Sequence, residues 1–165
     1  MARPRTIPDS EIFAAILRLI GAEGEKAVAF SAVARASGLA APSLVQRYGS
    51  LPGMVQAAWE AEWDRLDAAT DTALATIEHS GKGTQALLKA LGADTTAALL
   101  AASQRDPELR ARAAHWREKI EAALTARLKN AEAAAMLFAA WQGQLLWGNG
   151  GEKGFRMKDA IKKLG

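Results

Sequence analysis

The sequence predicts an all-α protein: a three-helix N-terminal lobe, a long connecting helix and a C-terminal helical lobe. Three observations carry that expectation. Strong helix formers dominate, and no run alternates Val, Ile, Thr and Tyr as a half-buried strand would. Apolar residues recur at helical spacing through most of the chain. The clearest start and stop signals, Ser37-Gly38 and Asp106-Pro107-Glu108 among them, fall between those periodic stretches. A chain of 165 residues, 50% of them hydrophobic, suffices for one compact unit or two tightly joined lobes with a real core.

The first helix is expected over residues 9–22. Pro8, Asp9 and Glu11 suit its positive end, and Ile12, Phe13, Ile16, Leu17 and Ile20 form its inward stripe before Gly24. Residues 31–48 read as helix, tight turn, helix. Ser31 is placed to cap the first of these helices, and Val33, Ala34 and Ala36 keep it small and apolar. Gly38 takes the left-handed position that ends it, and Leu39 plugs the turn. Pro42 sits in the first turn of the next helix, where a missing N–H costs nothing; Ser43, Leu44, Gln46, Arg47 and Tyr48 follow. Polar groups on such a second helix reach base edges and phosphates, although the same pattern also occurs in helical domains that touch no nucleic acid.

A long helix is expected over 51–79, ended by Gly81-Lys82-Gly83, and another over 84–103 that Gly92 kinks or divides. From Asp106 an amphipathic helix runs to about Lys129, burying Leu109, Trp116, Ile120, Leu124 and Leu128. Residues 132–147 are apolar on most of their circumference, so a second face needs cover, which a partner subunit supplies naturally. A Gly-rich loop at 148–151 and a short basic helix at 155–164 complete the chain. The loop lacks the Lys-Ser/Thr and the preceding strand of a phosphate cradle.

Charge is uneven. Residues 1–50 carry six Lys/Arg against four Asp/Glu, residues 51–104 three against seven, and residues 105–165 twelve against seven. A basic N-terminal lobe suits phosphate. The absence of Cys excludes disulfides and thiolate metal sites. His79 and His115 are isolated, so neither a metal nor a cofactor is expected, and nothing marks an enzyme. No signal segment and no bilayer-length apolar run is present, so the expected location is cytoplasmic, away from membranes.

The stretch 30–54, behind a helix with Ile12, Ala15 and Gly24, resembles the tetracycline repressor (TetR) family of one-component regulators. The likeness is specific over the first third and continues loosely through the Asp-Pro-Glu-Leu-Arg-led helix and two terminal helices. It implies a homodimer whose N-terminal lobe, residues 1–50, reads an operator. Residues 51–165 would then bind a small molecule and dimerise through the last two helices, with ligand releasing DNA. The family pattern is broken in three places. Ala40 replaces the usual Ser or Thr cap; Val45, Gln46 and Arg47 replace two aromatics and a His, so the phosphate-touching Tyr is Val45; and Leu51 replaces a Lys, before an unusual Pro52-Gly53.

The expected DNA contacts are therefore Ser31, Arg35, Ala41, Pro42, Ser43, Gln46, Arg47 and Tyr48, with Arg3 and Arg5 as a minor-groove arm. Arg47 serves either DNA or a surface ion pair. The expected effector site combines Trp59, Trp63, His115, Trp116, Phe138, Trp141 and Gln142, with Gln144 nearby, and suits a small apolar or aromatic molecule. Packing alone is the other reading of these Trp residues. The expected dimer interface is Phe138, Leu145, Leu146 and Ile161. Two functions stay in view: a ligand-released homodimeric repressor, and a ligand-binding dimer with weak or lost DNA binding.

Overall fold

The computed structural model describes residues 7–92, 96–147 and 154–164. Among them every regular element is helical, as the sequence predicts. The chain divides into two compact units between Trp63 and Asp64. That division lies inside the connecting helix, not at residue 50.

In the N-terminal unit, α1 (Asp9–Glu23) leads through a 3-10 turn at Glu25–Ala27 into α2 (Phe30–Ser37) and α3 (Ala41–Tyr48). Ile12, Ala15 and Ile16 recur at helical spacing and are buried, and Val33 and Leu44 are the buried residues of α2 and α3. α1 packs on α2, and α2 on α3. Ser31 does not cap α2. The helix begins one residue earlier, on extended Ala29, whose carbonyl accepts the Val33 N–H at 2.9 Å and whose side chain offers no oxygen. The first turns of α4 (Leu51–Thr76) belong to this unit and contribute buried Met54, Ala58, Trp59 and Trp63.

In the C-terminal unit, α4 ends at Thr76, three residues short of the expected limit. α5 (Gly81–Leu91) starts at the glycines predicted to separate the helices. The Ser80 hydroxyl accepts the Gly83 N–H at 3.1 Å, and that cap draws both glycines into the first turn. α6 (Thr96–Ser103) is distinct from α5, so the helix expected over 84–103 is divided, with Gly92 just past the end of α5. α7 (Pro107–Leu128) opens as read from sequence: Asp106 Oδ1 accepts the Leu109 N–H at 2.8 Å, with Pro107 as first residue. Lys129, left-handed at φ 59°, ends it. α8 (Ala131–Trp147) packs along α7, and α9 (Met157–Leu164) rests on α5 and α8. The core comprises Leu87, Leu88, Leu91, Leu99, Leu109, Trp116, Ile120, Leu124, Leu137 and Ile161. Among the described residues no helix is long and apolar enough to cross a membrane.

Candidate nucleic-acid interface and effector site

Gly38 lies at φ 77°, ψ 10°, the left-handed conformation that turns α2 into α3. The Ser37 hydroxyl braces this turn, donating to the Val33 carbonyl at 2.7 Å and accepting the Leu39 N–H at 3.4 Å. The start of α3 has no side-chain cap, as Ala40 implied, and Pro42 occupies its first turn. Leu44 is the one buried residue of α3; Pro42, Ser43, Val45, Gln46 and Arg47 are exposed and Ala41 half-buried. On α2, Ser31 and Arg35 are exposed too. Most of the DNA-contact set thus lies on solvent-facing positions of two packed helices, while Arg3 and Arg5 lie outside the described residues.

Arg47 and Tyr48 are not free. Arg47 Nη1 donates to Asp9 Oδ1 at 3.0 Å and to the Ile7 carbonyl at 3.1 Å. The Tyr48 hydroxyl donates to the same Asp9 oxygen, and its ring lies 5.9 Å from that of Phe13. Burial, aided by the bond to Asp9, pushes the Tyr48 phenol up to about 12. The ion-pair alternative for Arg47 is therefore realised here. Asp9, taken from sequence as a helix-dipole residue, is the acceptor that sequence reasoning missed.

Pro52-Gly53 also has a physical reason. Ser50 Oγ accepts the Gly53 N–H at 3.1 Å, capping α4, and Pro52 falls within the first turn. A Cβ on Gly53 would stand 3.0 Å from the Tyr48 carbonyl oxygen, so glycine suits this tight junction.

The expected aromatic residues are drawn from both units. Trp59 and Trp63 are buried residues of the N-terminal unit. In the C-terminal unit Trp116, Phe138 and Trp141 form one cluster with ring centroids 5.8–6.1 Å apart. The Arg117 guanidinium lies 5.8 Å from the Phe138 centroid. Trp116 Nε1 donates to Thr70 Oγ1 at 2.9 Å, tying the cluster to α4. Gln142 stands one helical turn beyond Phe138, and its buried Nε2 has no hydrogen-bond partner among the described residues. His115 is exposed: one position off the buried stripe of α7, it faces solvent instead of the cluster. Gln144 Nε2 is engaged by the Phe155 carbonyl at 2.6 Å.

Of the residues assigned to a dimer interface, Phe138 and Ile161 are buried within the chain. Leu145 is half-buried, and its Cδ2 lies 3.1 Å from where a Cβ on Gly92 would be. Leu146 is open at 68%, with Trp147 at 69% and Met136 at 55% on the same helix. Among the described residues no group of three or more His, Asp or Glu could hold a metal ion.

No protein-family model and no curated protein matches this sequence. Solved structures do match. A TetR-like transcriptional regulator from Rhodococcus sp. RHA1 superposes with a TM-score of 0.72 at 16% identity, over 99% of this chain and 94% of that one. The multidrug binding protein EbrR, complexed with malachite green, gives 0.65 at 25% identity over 96% of each chain. The TetR family regulator PfmR from Thermus thermophilus gives 0.65 at 17% identity, covering 92% of this chain and 93% of that one.

Proposed function

We propose, from the premise that this chain has the TetR-family regulator fold, that it is a DNA-binding transcriptional regulator. On this reading it is a homodimeric repressor that a small apolar or aromatic effector releases from its operator. The observation that carries the proposal is the α2–Gly38–α3 unit, whose second helix turns Pro42, Ser43, Gln46 and Arg47 to solvent while Leu44 anchors it. Three further features support the rest. Met136, Leu146 and Trp147 offer an apolar surface for a second copy. The Trp116–Phe138–Trp141 cluster suits a flat ring, and unpartnered Gln142 Nε2 suits a ligand acceptor beside it. EbrR, of the same fold, binds malachite green. Differential affinity is required for release: effector and DNA must favour different dispositions of the two recognition helices.

Selection from random DNA, followed by titration against a scrambled duplex at physiological salt, tests the proposal. A regulator binds the selected sequence at least ~10³-fold more tightly than the scramble. Equal binding that vanishes with added salt would leave only phosphate attraction and refute it.

A second reading, a ligand-binding dimer with weak DNA binding, is favoured by Val45. Its side chain is 44% exposed on α3, an apolar group where the family places a phosphate-touching Tyr. Val45→Tyr with Leu51→Lys then raises DNA affinity strongly; no gain counts against this reading.

A further inference from the structure

Two donors from the last turn of α3 converge on a single oxygen at the first turn of α1. Asp9 Oδ1 accepts from Arg47 Nη1 and from the Tyr48 hydroxyl, and Arg47 Nη1 also reaches the Ile7 carbonyl. Both of these Arg47 bonds use Nη1, the Tyr48 hydroxyl also lies against the guanidinium, and the side chain is 34% exposed. The guanidinium is thus gripped through Nη1 and partly exposed, with Nε and Nη2 as its more open edge. An exposed pair of this kind contributes little stability. A carboxylate beside a DNA-facing helix is also electrostatically costly near phosphate, so its presence there needs a reason other than charge.

We propose that Asp9 is a positioning residue of the DNA interface, holding the Arg47 guanidinium so that its open edge meets a backbone phosphate. The inference rests on the DNA-binding reading above. A free Arg loses side-chain entropy when it docks; a guanidinium already held has less to lose, and its planar fork sets the direction of the remaining donors. Tyr48 shares the carboxylate and packs on Phe13, which fixes Asp9 itself.

The sign of the effect tests this. Charge alone predicts that removing Asp9 strengthens DNA binding, as should Glu11→Ala, the loss of an exposed carboxylate two residues away. Positioning predicts the reverse for Asp9. Wild type, Asp9→Ala, Asp9→Asn, Arg47→Ala, Asp9→Ala/Arg47→Ala and Glu11→Ala are titrated with the duplex selected on wild type, over a salt series. Thermal melts and sedimentation confirm fold and assembly. Asp9→Ala should bind about three- to tenfold more weakly, the cost of immobilising one long side chain. Its salt slope should fall by about one although no cation was removed, because one phosphate contact is lost. Asp9→Asn, which keeps the acceptor oxygen, should restore wild-type binding and slope. Asp9→Ala should add nothing in the Arg47→Ala background.

Asp9→Ala binding as tightly as wild type, or tracking Glu11→Ala upward, overturns the proposal. Weaker binding with an unchanged slope and a lowered melting temperature also overturns it, assigning Asp9 to fold support alone. If selection on wild type enriches no sequence, the DNA-binding reading itself fails and the role of Asp9 falls with it.

Discussion

The indole N–H of Trp116 meets the hydroxyl of Thr70 at 2.9 Å, and both side chains are fully buried. Thr70 in turn donates to the Leu66 carbonyl at 2.7 Å, so its oxygen is used twice. On the same helices Arg112 joins Asp64 at 2.8 Å and Asp67 at 2.7 Å, and Lys119 joins Asp71. These pairs reach solvent and are screened; the Trp116–Thr70 bond is dry. Trp116 also abuts Phe138 and Trp141, so this bond joins the aromatic cluster to α4.

Thr70→Val keeps the shape of the side chain but removes the acceptor that the indole N–H meets at 2.9 Å. Stability should fall by about 1–3 kcal/mol, measured by urea unfolding. Trp116→Phe in that background should cost less than it does in wild type, since the shared bond is already gone. Equal costs in both backgrounds would mean that the bond contributes nothing beyond packing.

Tyr48, the sole Tyr of the chain, makes the Asp9 clasp visible at high pH. Its phenol is raised from 10.0 to about 12, by burial first and by Asp9 second. The folded state therefore binds the phenolic proton more tightly than the unfolded chain does. The stability from this group is complete below pH 10, declines as pH rises, and is lost through about 12. Tyrosinate absorbance should show a late transition in the native protein. In Asp9→Ala the midpoint should move part of the way down, because burial remains. A midpoint unmoved by Asp9→Ala would show that the clasp does not form in solution.

Local chemistry made the fold legible. Gly38, Asp106-Pro107 and the periodic stripes of α1 and α7 act within one or two turns, where sequence neighbours decide conformation. The misplaced features depend on partners distant in sequence. Asp9 meets Arg47 and Tyr48 from about forty positions away, and Thr70 meets Trp116 across two intervening helices. His115 and Trp116 are adjacent in sequence yet a 100° step puts one in water and the other in the core. Ser31 does not cap α2 because Phe30 takes the first helical position and Ala29 the cap, a two-residue shift that propensity does not resolve. Val45, an apolar residue on the solvent side of α3, is 44% exposed.

Two glycines should respond to alanine with opposite signs. Gly21 lies inside α1 with nothing within 4 Å of an added Cβ, so Gly21→Ala should stabilise by about 0.5–1 kcal/mol through the backbone entropy of the unfolded chain. Gly83 lies in the first turn of α5, where an added Cβ would run into the backbone carbonyl of Glu78. Overpacking of this kind costs about 1–3 kcal/mol, which outweighs the helix-propensity gain of about 1 kcal/mol. Chemical unfolding of both variants checks the pair. A stabilised Gly83→Ala would show that the Ser80 cap can relax without loss.

The proposed dimer would use the open side of α8. Leu146 and Trp147 are the most exposed large apolar residues described, whereas Leu145 reaches toward Gly92 inside its own chain. Leu146→Asp or Trp147→Asp should therefore lower dimer affinity while leaving the monomer folded, since neither side chain supports the core. Leu145→Asp should act differently, introducing a charge against the end of α5 and lowering the melting temperature of the monomer itself. Sedimentation velocity over a concentration series, paired with thermal melts, separates the two effects. Persistence of a wild-type dimer in both Leu146→Asp and Trp147→Asp would exclude this face as the interface between copies.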